Sequence, residues 1–341
     1  MTSKLSYYWE MGRRVQLLRA APKVLNYVRY RSLPRRSTAA VRQYTPQIAS
    51  VMLTKRCNLQ CSYCSVGNVI NQKGTDWRQS EATVESIERI FDNPLFKNCL
   101  LVDLLGGEPL LVEDLELIVA YLVGRGHVVN VATNGMFLAE RVAGLRNAGI
   151  SRINVSLYPA TREAMERDLP TINRVLPVHV SIVLLRSDVE NHQDELRSTA
   201  LFLRDVGCRS LRFWMYRAVG SDPKPQELIY DTLPAYHELQ RQIDEAVPGF
   251  CLWPAALHDG APNKRCPQLW QRIICDVLGN ITVCCGSDRT LVGPDSNLYH
   301  SAPERVWNHP TLVSMRERLL DPVRDPPEVC KTCSLLGERG W

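Results

Sequence analysis

The sequence predicts an α/β fold built on a parallel sheet. Along residues 48–216, six apolar runs of strand length alternate with amphipathic stretches of helical length. This alternation is typical of parallel strands joined by right-handed crossovers. Polar and glycine-containing segments directly follow several of the apolar runs, where parallel α/β folds carry their functional sites. We therefore expect one α/β domain with a site at the carboxyl ends of its strands.

Hydrophobic periodicity places the individual elements of this domain. Strands are predicted at residues 48–53, 100–105, 128–132, 153–157, 178–185 and 210–216. Amphipathic helices are predicted between them, at residues 81–91, 113–123, 139–147, 162–175 and 194–206.

The composition indicates a folded chain with one large domain and a smaller appendage. Hydrophobic residues make up 45% of the 341 residues, which excludes a disordered chain. No apolar stretch approaches the roughly eighteen residues that a transmembrane helix needs. Twelve cysteines without a secretory leader favour a reducing, cytoplasmic location.

Three cysteines carry the strongest chemical signal in the chain. Cys57, Cys61 and Cys64 follow the first strand with the spacing Cys-x3-Cys-x2-Cys. An iron–sulfur cubane is normally held by four cysteines, so three thiolates leave one iron open to another ligand. Zinc usually takes a fourth Cys or His in paired spacing, and the next cysteine here is Cys99. The triad therefore indicates a metal cluster with an open coordination position.

This run resembles the signature of the radical S-adenosylmethionine enzyme superfamily. The resemblance implies that S-adenosylmethionine chelates the open iron and that Tyr63 lies against the adenine. A second motif, Gly106-Gly107-Glu108-Pro109, follows the second strand and resembles the family segment that hydrogen-bonds the methionine amino group. Glycines let a backbone approach a ligand closely, and Glu108 offers a negative charge to a cationic ligand.

Two more strand ends match the family pattern. The resemblance implies cofactor contacts from Asn134, and from Ser156 to the ribose or the methionine carboxylate. Many relatives have Asp where this chain has Tyr158, which affects the expected substrate contacts at that strand end. The resemblance implies a partial (β/α)6 barrel over residues 48–245.

A second cysteine set lies in residues 246–341. Its spacing resembles the SPASM or Twitch extension, which implies a small β-hairpin and helix domain holding one auxiliary [4Fe-4S] cluster, besides the [4Fe-4S] cluster of the triad. The implied ligands are Cys266, Cys284, Cys330 and Cys333. A structural zinc site with four cysteines remains an alternative.

A two-residue hairpin turn is predicted at Gly279-Asn280, just before Cys284.

The remaining cysteines have two readings. Cys99 and Cys208 adjoin apolar strands and are expected to be buried small hydrophobes. Cys251, Cys275 and Cys285 are expected either to pack or to donate a hydrogen atom to a substrate radical.

Residues 1–47 form a basic arm. Ten Lys or Arg residues stand against one acid, so the arm carries +9 and the remainder, with 31 basic and 35 acidic residues, carries −4. Interleaved Tyr, Trp, Leu and Val residues are typical of a helix that packs on the domain with its charges solvated. Such a helix can also contact an anionic membrane surface, or steer an anionic substrate or nucleic acid. No sequence-specific nucleic-acid binding is expected.

The resemblance implies an enzyme that cleaves S-adenosylmethionine with an electron from an external donor such as flavodoxin or ferredoxin. The resulting 5′-deoxyadenosyl radical removes hydrogen from a small polyol, sugar or aminocyclitol in natural-product biosynthesis, and oxidation of a secondary alcohol to a ketone is the leading outcome. Epimerisation, dehydration or decarboxylation, and peptide or lipid modification, remain alternatives, as does a zinc-bound interaction module. Candidate substrate contacts are Tyr158, Arg186, Arg212, Trp214, Tyr216 and Arg217.

Overall fold

A nine-stranded sheet organises the chain. The computed structural model describes residues 17–32, 40–42, 45–61, 64, 81–218, 223–257, 266–284, 287, 289–333 and 336. The strands are β1 (Ile48–Met52), β2 (Leu101–Leu105), β3 (Val128–Thr133), β4 (Arg152–Ser156), β5 (His179–Leu184), β6 (Ser210–Met215), β7 (Cys251–Leu252), β8 (Arg272–Asp276) and β9 (Ile281–Thr282). Their order is β7-β6-β5-β4-β3-β2-β1-β8-β9, and every neighbouring pair except β8 and β9 is parallel.

Helices connect the strands as the sequence predicts. They are α1 (Leu17–Ser32), α2 (Val84–Phe91), α3 (Leu115–Gly124), α4 (Leu138–Asn147), α5 (Arg162–Val175), α6 (Arg186–Asn191), α7 (Gln193–Asp205), α8 (Pro234–Ala246), α9 (Gln268–Gln271), α10 (Pro303–Trp307) and α11 (Pro310–Leu320). The α/β fold class, six predicted strands and five predicted helices are confirmed. Within the described ranges, no helix combines the length and hydropathy needed to cross a membrane.

Helix ends differ from the prediction where a side chain caps the backbone. Helix α2 begins at Val84, although the periodicity begins at residue 81. The Thr83 hydroxyl accepts a hydrogen bond from the Ser86 amide, and the Ser86 hydroxyl accepts one from the Thr83 amide. This reciprocal capping box fixes the first turn, so the amphipathic pattern alone places the start too early.

The two faces of the sheet are chemically different. Side chains alternate along each strand, so one face carries buried Val51, Val102, Val155 and Phe213, which belong to the same apolar core as residues of the helices. The opposite face, called here the inner face, carries a row of polar side chains on β4 to β6. The inner face is therefore the polar face of the sheet between β4 and β6.

The sheet continues past the predicted domain boundary at residue 245. Strand β7 pairs with β6 at one edge, and β8 pairs with β1 on the other side. Residues 246–341 thus contribute strands to both sides of the barrel-like sheet, and the connection between the two predicted domains is a continuous hydrogen-bonded ladder.

The predicted hairpin between β8 and β9 is present, but its loop has three residues. Gly279 has φ +80°, and its amide donates to the Asp276 carbonyl at 3.1 Å. The Asp276 carboxylate accepts hydrogen bonds from the amides of Leu278 and Asn280, each at 3.0 Å. A turn closed by a left-handed glycine is the usual three-residue hairpin, and the Asp276 side chain favours it over the two-residue form.

Candidate functional site

The cysteine loop leaves the carboxyl end of β1. Cys57, Cys61 and Cys64 are half-buried, and the Cys64 amide donates to the Cys61 carbonyl at 3.1 Å. Burial raises the pKa of the Cys61 thiol to about 11, and the neighbouring Cys64 and Cys57 sulfurs raise it further. Burial also raises the pKa of Cys57, where Glu108 and Cys64 add to the effect. The three sulfurs are therefore close enough to repel one another as thiolates.

This donor set fits an iron–sulfur cluster. Thiolates are its ligands, and three of them from one loop leave one iron for an exchangeable ligand. A bound cation reverses the raised pKa values, because coordination removes the thiol proton. Among the residues that the structure describes, no group of three or more His, Cys, Asp or Glu side chains is arranged around a single metal ion. The triad as cluster ligands stays a prediction.

The glycine motif is fastened to the backbone just before the triad. The Gly107 amide donates to the Thr54 carbonyl at 2.7 Å, and the Glu108 amide donates to the Arg56 carbonyl at 2.8 Å. A Cβ atom on Gly107 would lie 2.0 Å from the Arg56 carbonyl oxygen, and one on Gly106 would lie 2.6 Å from the Thr54 oxygen. The glycines therefore allow two backbone segments to pack in direct contact. From the sequence alone, we expect these glycines to let the backbone approach a ligand.

Glu108, predicted from the sequence to face a cationic ligand, accepts hydrogen bonds from three donors of the protein itself. Its side chain is buried at 1% exposure and accepts the Thr133 hydroxyl at 2.6 Å, the Asn134 amide at 2.8 Å and the Leu110 amide at 3.0 Å. Burial raises the pKa of its carboxyl group, and these hydrogen bonds oppose the rise. Glu108 thus joins the ends of β2 and β3 beneath the cysteine loop. Pro109 follows at the start of a short 3₁₀ turn.

Asn134 completes the connection to the triad. Its side-chain amide donates to Asn58 Oδ1 at 2.7 Å, and Asn58 directly follows Cys57. Its own Oδ1 accepts the Met136 amide at 3.1 Å, so the side chain is fixed in orientation. Asn134 therefore positions the cysteine loop, and its predicted cofactor contact remains untested. Neither Asn58 nor Thr133 was expected from the sequence, because their roles depend on which strand ends are neighbours.

An ion pair holds the other side of the loop. Arg56 donates to both carboxylate oxygens of Glu81, at 3.1 and 2.9 Å, and to the Leu111 carbonyl at 2.6 Å. The Thr54 hydroxyl donates to the same carboxylate at 3.2 Å. A bidentate Arg–carboxylate pair fixes orientation as well as distance. The residues before Cys57 are consequently anchored on two sides.

Ser156 begins a polar row across the inner face. The register pairs Ser156 with Ser181, and Ser181 with Arg212. The two serine oxygens are 3.5 Å apart, and Asn154 donates to Ser181 Oγ at 3.0 Å. The Arg212 guanidinium lies 5.0 Å from the centre of the Trp214 ring. The row therefore offers hydroxyl, amide, cationic and aromatic groups, with Ser156 at the carboxyl end of β4 and with Ser181 and Arg212 in the middle of β5 and β6.

The structure separates the candidate substrate residues into two groups. Arg212 and Trp214 lie on the inner face, whereas Arg186 begins α6 and pairs with Glu190 at 2.8 Å, with 47% of its side chain exposed. Tyr216 is buried, and its hydroxyl accepts the Lys224 amide at 2.8 Å. Arg186 and Tyr216 therefore have structural partners, which the sequence did not reveal.

The other two candidates stay at the ends of their strands. Tyr158 is half-buried directly after β4, with its amide bonded to Thr161 Oγ1 at 3.2 Å, and Arg217 is half-buried after β6. Neither placement tests their predicted role.

His179 and Arg152 are additional residues of the inner face. Burial lowers the pKa of His179 to about 2, and Arg152, Arg209 and Arg212 lower it further. His179 Nδ1 lies 2.8 Å from Ser210 Oγ. A neutral imidazole thus stands within the electrostatic reach of three guanidinium groups. The signal available in the sequence was the recurrence of polar residues at every second position of β4 and β5.

A second polar cluster joins β8 to the barrel strands. Arg272 donates to Ser50 and Asp103, and Asn130 donates to Asp103 Oδ1 at 2.9 Å. Arg272 reaches these residues because β8 pairs with β1, opposite Ile48. Its charge is compensated by Asp103.

Two hydrogen-atom donor candidates, Cys251 and Cys275, lie on the face of the sheet opposite the polar row. Cys275 pairs with Val51 and is fully buried in the apolar core, and Cys251 pairs with Leu211 of the same core. Burial raises the pKa of both thiols. Because neighbouring strand positions at one level share a face, both sulfurs face away from Arg212 and Ser50. Their role as hydrogen-atom donors stays a prediction, although both thiols lie on the face opposite the polar row. Cys285 and Tyr63 lie outside the described residues.

The buried cysteines Cys99 and Cys208 are confirmed as packing residues. Cys99 is fully buried, and Cys208 accepts a hydrogen bond from Asn173 at 3.2 Å.

Three of the four predicted auxiliary ligands lie in or against the apolar core. Cys330 is buried, and Cys266 and Cys284 pack against the same apolar cluster. The Cys333 amide donates to the Cys330 carbonyl at 3.2 Å, in the turn that follows Glu328–Cys330. Within the described part of the chain, no cysteine forms a disulfide. An auxiliary cluster or a zinc ion on this set stays a prediction.

Comparison with known proteins finds similarity over the first strands of the sheet and the cysteine loop. Residues 51–177 match the family model described as the Radical SAM superfamily. The GTP 3',8-cyclase of Acidothermus cellulolyticus is 33% identical over 189 residues, which cover 50% of this chain and 51% of that protein. The GTP 3',8-cyclase of Aquifex aeolicus is 30% identical over 192 residues, covering 51% and 58%. The chain spans little more than half the length of these curated relatives.

Solved structures show the same fold over a larger part of the chain. Streptococcus suis SuiB bound to S-adenosylmethionine superposes with a TM-score of 0.60 at 15% identity, covering 86% of this chain and 72% of that one. SuiB bound to its precursor peptide SuiA gives a TM-score of 0.61 at 14% identity, with 86% and 70% covered. At this identity the similarity extends to the fold.

Proposed function

We propose that this chain, whose residues 51–177 match the family model described as the Radical SAM superfamily, is an enzyme that removes a hydrogen atom from a small, sugar-containing substrate bearing an anionic group. The observation that carries the proposal is the three-cysteine loop, fastened by backbone hydrogen bonds to the Gly106-Gly107-Glu108 turn. When bound, a [4Fe-4S] cluster and S-adenosylmethionine supply the 5′-deoxyadenosyl radical chemistry of this superfamily. Electrons come from an external donor such as flavodoxin or ferredoxin.

The protein's own residues bind and orient. Cys57, Cys61 and Cys64 would hold the cluster, and Glu108 with Asn134 fixes the loop that carries them. Ser156 ends β4 on the side of the sheet where S-adenosylmethionine and substrate would meet, and the polar row extends from it across the inner face. Radical chemistry depends on holding the reacting carbon close to the radical and on excluding competing donors, so rigid positioning is the main contribution of the protein.

The charge of the inner face selects the substrate class. Arg152 and Arg212 act electrostatically on His179 in the amino-terminal half of β4 to β6, and the low pKa of His179 keeps it neutral at physiological pH. A cationic face with restricted solvent access attracts carboxylate or phosphate and repels the ammonium groups of an aminocyclitol. Among the expected substrates, a sugar phosphate or nucleotide therefore fits better than an aminocyclitol. The relatives named GTP 3',8-cyclase support a nucleotide.

Two outcomes follow from the second cysteine set. We propose that Cys266, Cys284, Cys330 and Cys333 hold an auxiliary [4Fe-4S] cluster, so that the substrate radical loses one electron and one proton and a secondary alcohol becomes a ketone. The second candidate is a reaction without net oxidation, such as cyclisation, epimerisation or dehydration, and the cyclase relatives favour it. The two outcomes differ in whether the product is two electrons more oxidised than the substrate.

Metal content tests the cluster assignments. We expect about eight irons per chain after anaerobic reconstitution and about four in a Cys57→Ala/Cys61→Ala/Cys64→Ala variant. Cys251→Ala is the matched control, because this cysteine faces the apolar core, and it should retain the full iron content. Zinc instead of iron in the purified chain would contradict the proposal.

Turnover tests the substrate class and the outcome. We expect 5′-deoxyadenosine formation under dithionite to accelerate with nucleotides or sugar phosphates, and less so with Arg212→Ala. Acceleration by an uncharged or cationic aminocyclitol alone would overturn the anionic substrate. In deuterated water, solvent deuterium at an inverted carbon would identify epimerisation, and a ketone product would identify oxidation.

A further inference from the structure

Helix α1 presents apolar side chains to solvent. Val24, Leu25 and Val28 are 44%, 69% and 54% exposed, and Ala21 is exposed beside them. Positions 21, 24, 25 and 28 share one face of a helix. An ordinary surface helix buries such a face against the core. In α1, by contrast, the apolar face points toward solvent.

Polar side chains hold the helix in this orientation. Lys23 is buried, and its Nζ donates to the Lys97 carbonyl at 2.8 Å. The side chain of Asn26 donates to the Asn98 carbonyl at 3.0 Å. Burial lowers the pKa of Lys23, which is a cost that the carbonyl contact offsets. Because the anchoring residues lie on the opposite side from Val24, Leu25 and Val28, the outward position of the apolar face is determined by specific contacts.

The charge of the surrounding segment identifies the partner. Residues 1–47 carry +9, whereas the other residues sum to −4. Apolar side chains within a strongly basic segment complement an anionic lipid bilayer, which has negatively charged headgroups at its surface and apolar acyl chains beneath them. A second copy of this chain would bring another +9 against the first, so self-association through this face is electrostatically opposed.

We propose that the outward face of α1 docks the enzyme on an anionic membrane surface. Val24, Leu25 and Val28 enter the headgroup region, and the net positive charge of residues 1–47 attracts the chain to anionic lipids. The helix lies on the surface and does not cross it. This docking is independent of the cysteine loop and of the proposed reaction.

Vesicle co-sedimentation of the full chain tests the docking. We expect binding to vesicles that contain phosphatidylglycerol, little binding to pure phosphatidylcholine, and weakening with added salt. Leu25→Glu/Val28→Glu should reduce partitioning by about tenfold or more, because it places charges in the contact face. Leu117→Glu is the matched control: Leu117 is 61% exposed on α3, and its substitution should leave binding unchanged.

Three results would overturn the proposal. They are equal binding to neutral and anionic vesicles, unchanged binding of the Leu25→Glu/Val28→Glu variant, and a chain that is dimeric in solution and becomes monomeric in that variant without binding vesicles. Light scattering measures the oligomeric state. Cleavage of S-adenosylmethionine in solution should be the same in the wild type and this variant, so failure of docking is distinguishable from failure of the proposed reaction.

Discussion

Gly106 and Gly107 join the two loops on which the proposed chemistry depends. Their backbones contact residues 54–56, and neither position has room for a side chain. The same contact aligns the end of β1 with the end of β2. The geometry of the cysteine loop is therefore determined partly by residues about fifty positions away in the sequence.

A methyl group at Gly107 should disrupt this contact. We expect Gly107→Ala to lower the free energy of unfolding by about 3 kcal/mol, because its Cβ would overlap the Arg56 carbonyl, which belongs to the backbone and cannot rotate away. Urea unfolding measures the stability, and iron per chain reports the cysteine loop. Gly124→Ala on α3 meets no atom within 4 Å and should be close to neutral. Equal effects of the two substitutions would contradict this account.

The carboxylate of Glu108 stabilises the fold through two acceptor oxygens, whereas glutamine at this position would offer only one. Glu108→Gln replaces one oxygen by an NH₂ group, so one of the donors from Leu110, Thr133 or Asn134 loses its acceptor in a buried site. We expect a loss of about 1–3 kcal/mol in the free energy of unfolding, since a buried unpaired donor costs about that much.

The role of Glu108 in positioning gives a second readout. Since Asn134 connects Glu108 to Asn58, Glu108→Gln should alter the electron paramagnetic resonance signal of the reduced cluster as well as the stability. The exposed Glu113, substituted by Gln, should change neither. An unchanged signal with reduced stability would restrict Glu108 to a purely structural role.

At the scale of elements, Arg316 of α11 joins three separate segments. The fully buried guanidinium donates to the carbonyls of Leu269, Trp307 and Ala40 and lies 4.5 Å from the centre of the Trp307 ring. Burial lowers its pKa to about 9, and the neighbouring Arg42 lowers it further. This single side chain fastens the chain before β1 and the helix before β8 to the C-terminal helices.

Removing the Arg316 side chain should destabilise the C-terminal elements more than the barrel strands. We expect Arg316→Met to lower the free energy of unfolding by about 3 kcal/mol, because several buried carbonyls lose their donor. Hydrogen exchange should accelerate in α9 and α10 and remain slow in β2 to β5. Arg305→Met, on the exposed side of α10, is the control and should change neither quantity. Uniform acceleration across the whole sheet would contradict a local role.

At the scale of the whole molecule, local patterns in the sequence predict most of the architecture. Alternating apolar runs locate six strands, and cysteine spacing locates the loop after β1. Which residues meet across strand ends is not local information. Glu108 contacts Thr133 because β2 and β3 are neighbours, and Arg272 contacts Asp103 because β8 returns beside β1.

The face on which a cysteine lies is similarly decided by register. Cys251 and Cys275 have the residue type for a hydrogen-atom donor, but a shift of one position reverses the face of every side chain in a strand. Only the pairing of Cys275 with Val51 and of Cys251 with Leu211 shows that both point into the apolar core. Sequence patterns therefore predict which residues have suitable chemistry better than they predict which of them meet.

Stability should fall in mild acid because buried histidines are neutral in the folded chain. His127 is buried, and its Nδ1 lies 2.9 Å from the Cys99 carbonyl. Burial lowers its pKa from 6.5 to about 3, and Lys23 and Arg125 lower it further. The unfolded chain therefore binds a proton near pH 6.5 that the folded chain does not, so stability is complete above pH 6.5 and decreases as the pH falls toward 3.

The size of this acid effect can be measured with one substitution. At pH 4.5, two units below the unfolded-state pKa of 6.5, the unprotonated state of buried His127 should lower the free energy of unfolding by about 2.7 kcal/mol. Each pH unit corresponds to about 1.36 kcal/mol. Urea unfolding of the cluster-free chain measures this effect. Between pH 7 and pH 4.5, the free energy of unfolding should fall less in His127→Gln than in the wild type, by about the same 2.7 kcal/mol. His179 has the same sign, so some acid sensitivity should remain in this variant. The exposed His300, replaced by Gln, should retain the full wild-type slope, and an unchanged slope in His127→Gln would contradict the buried neutral imidazole.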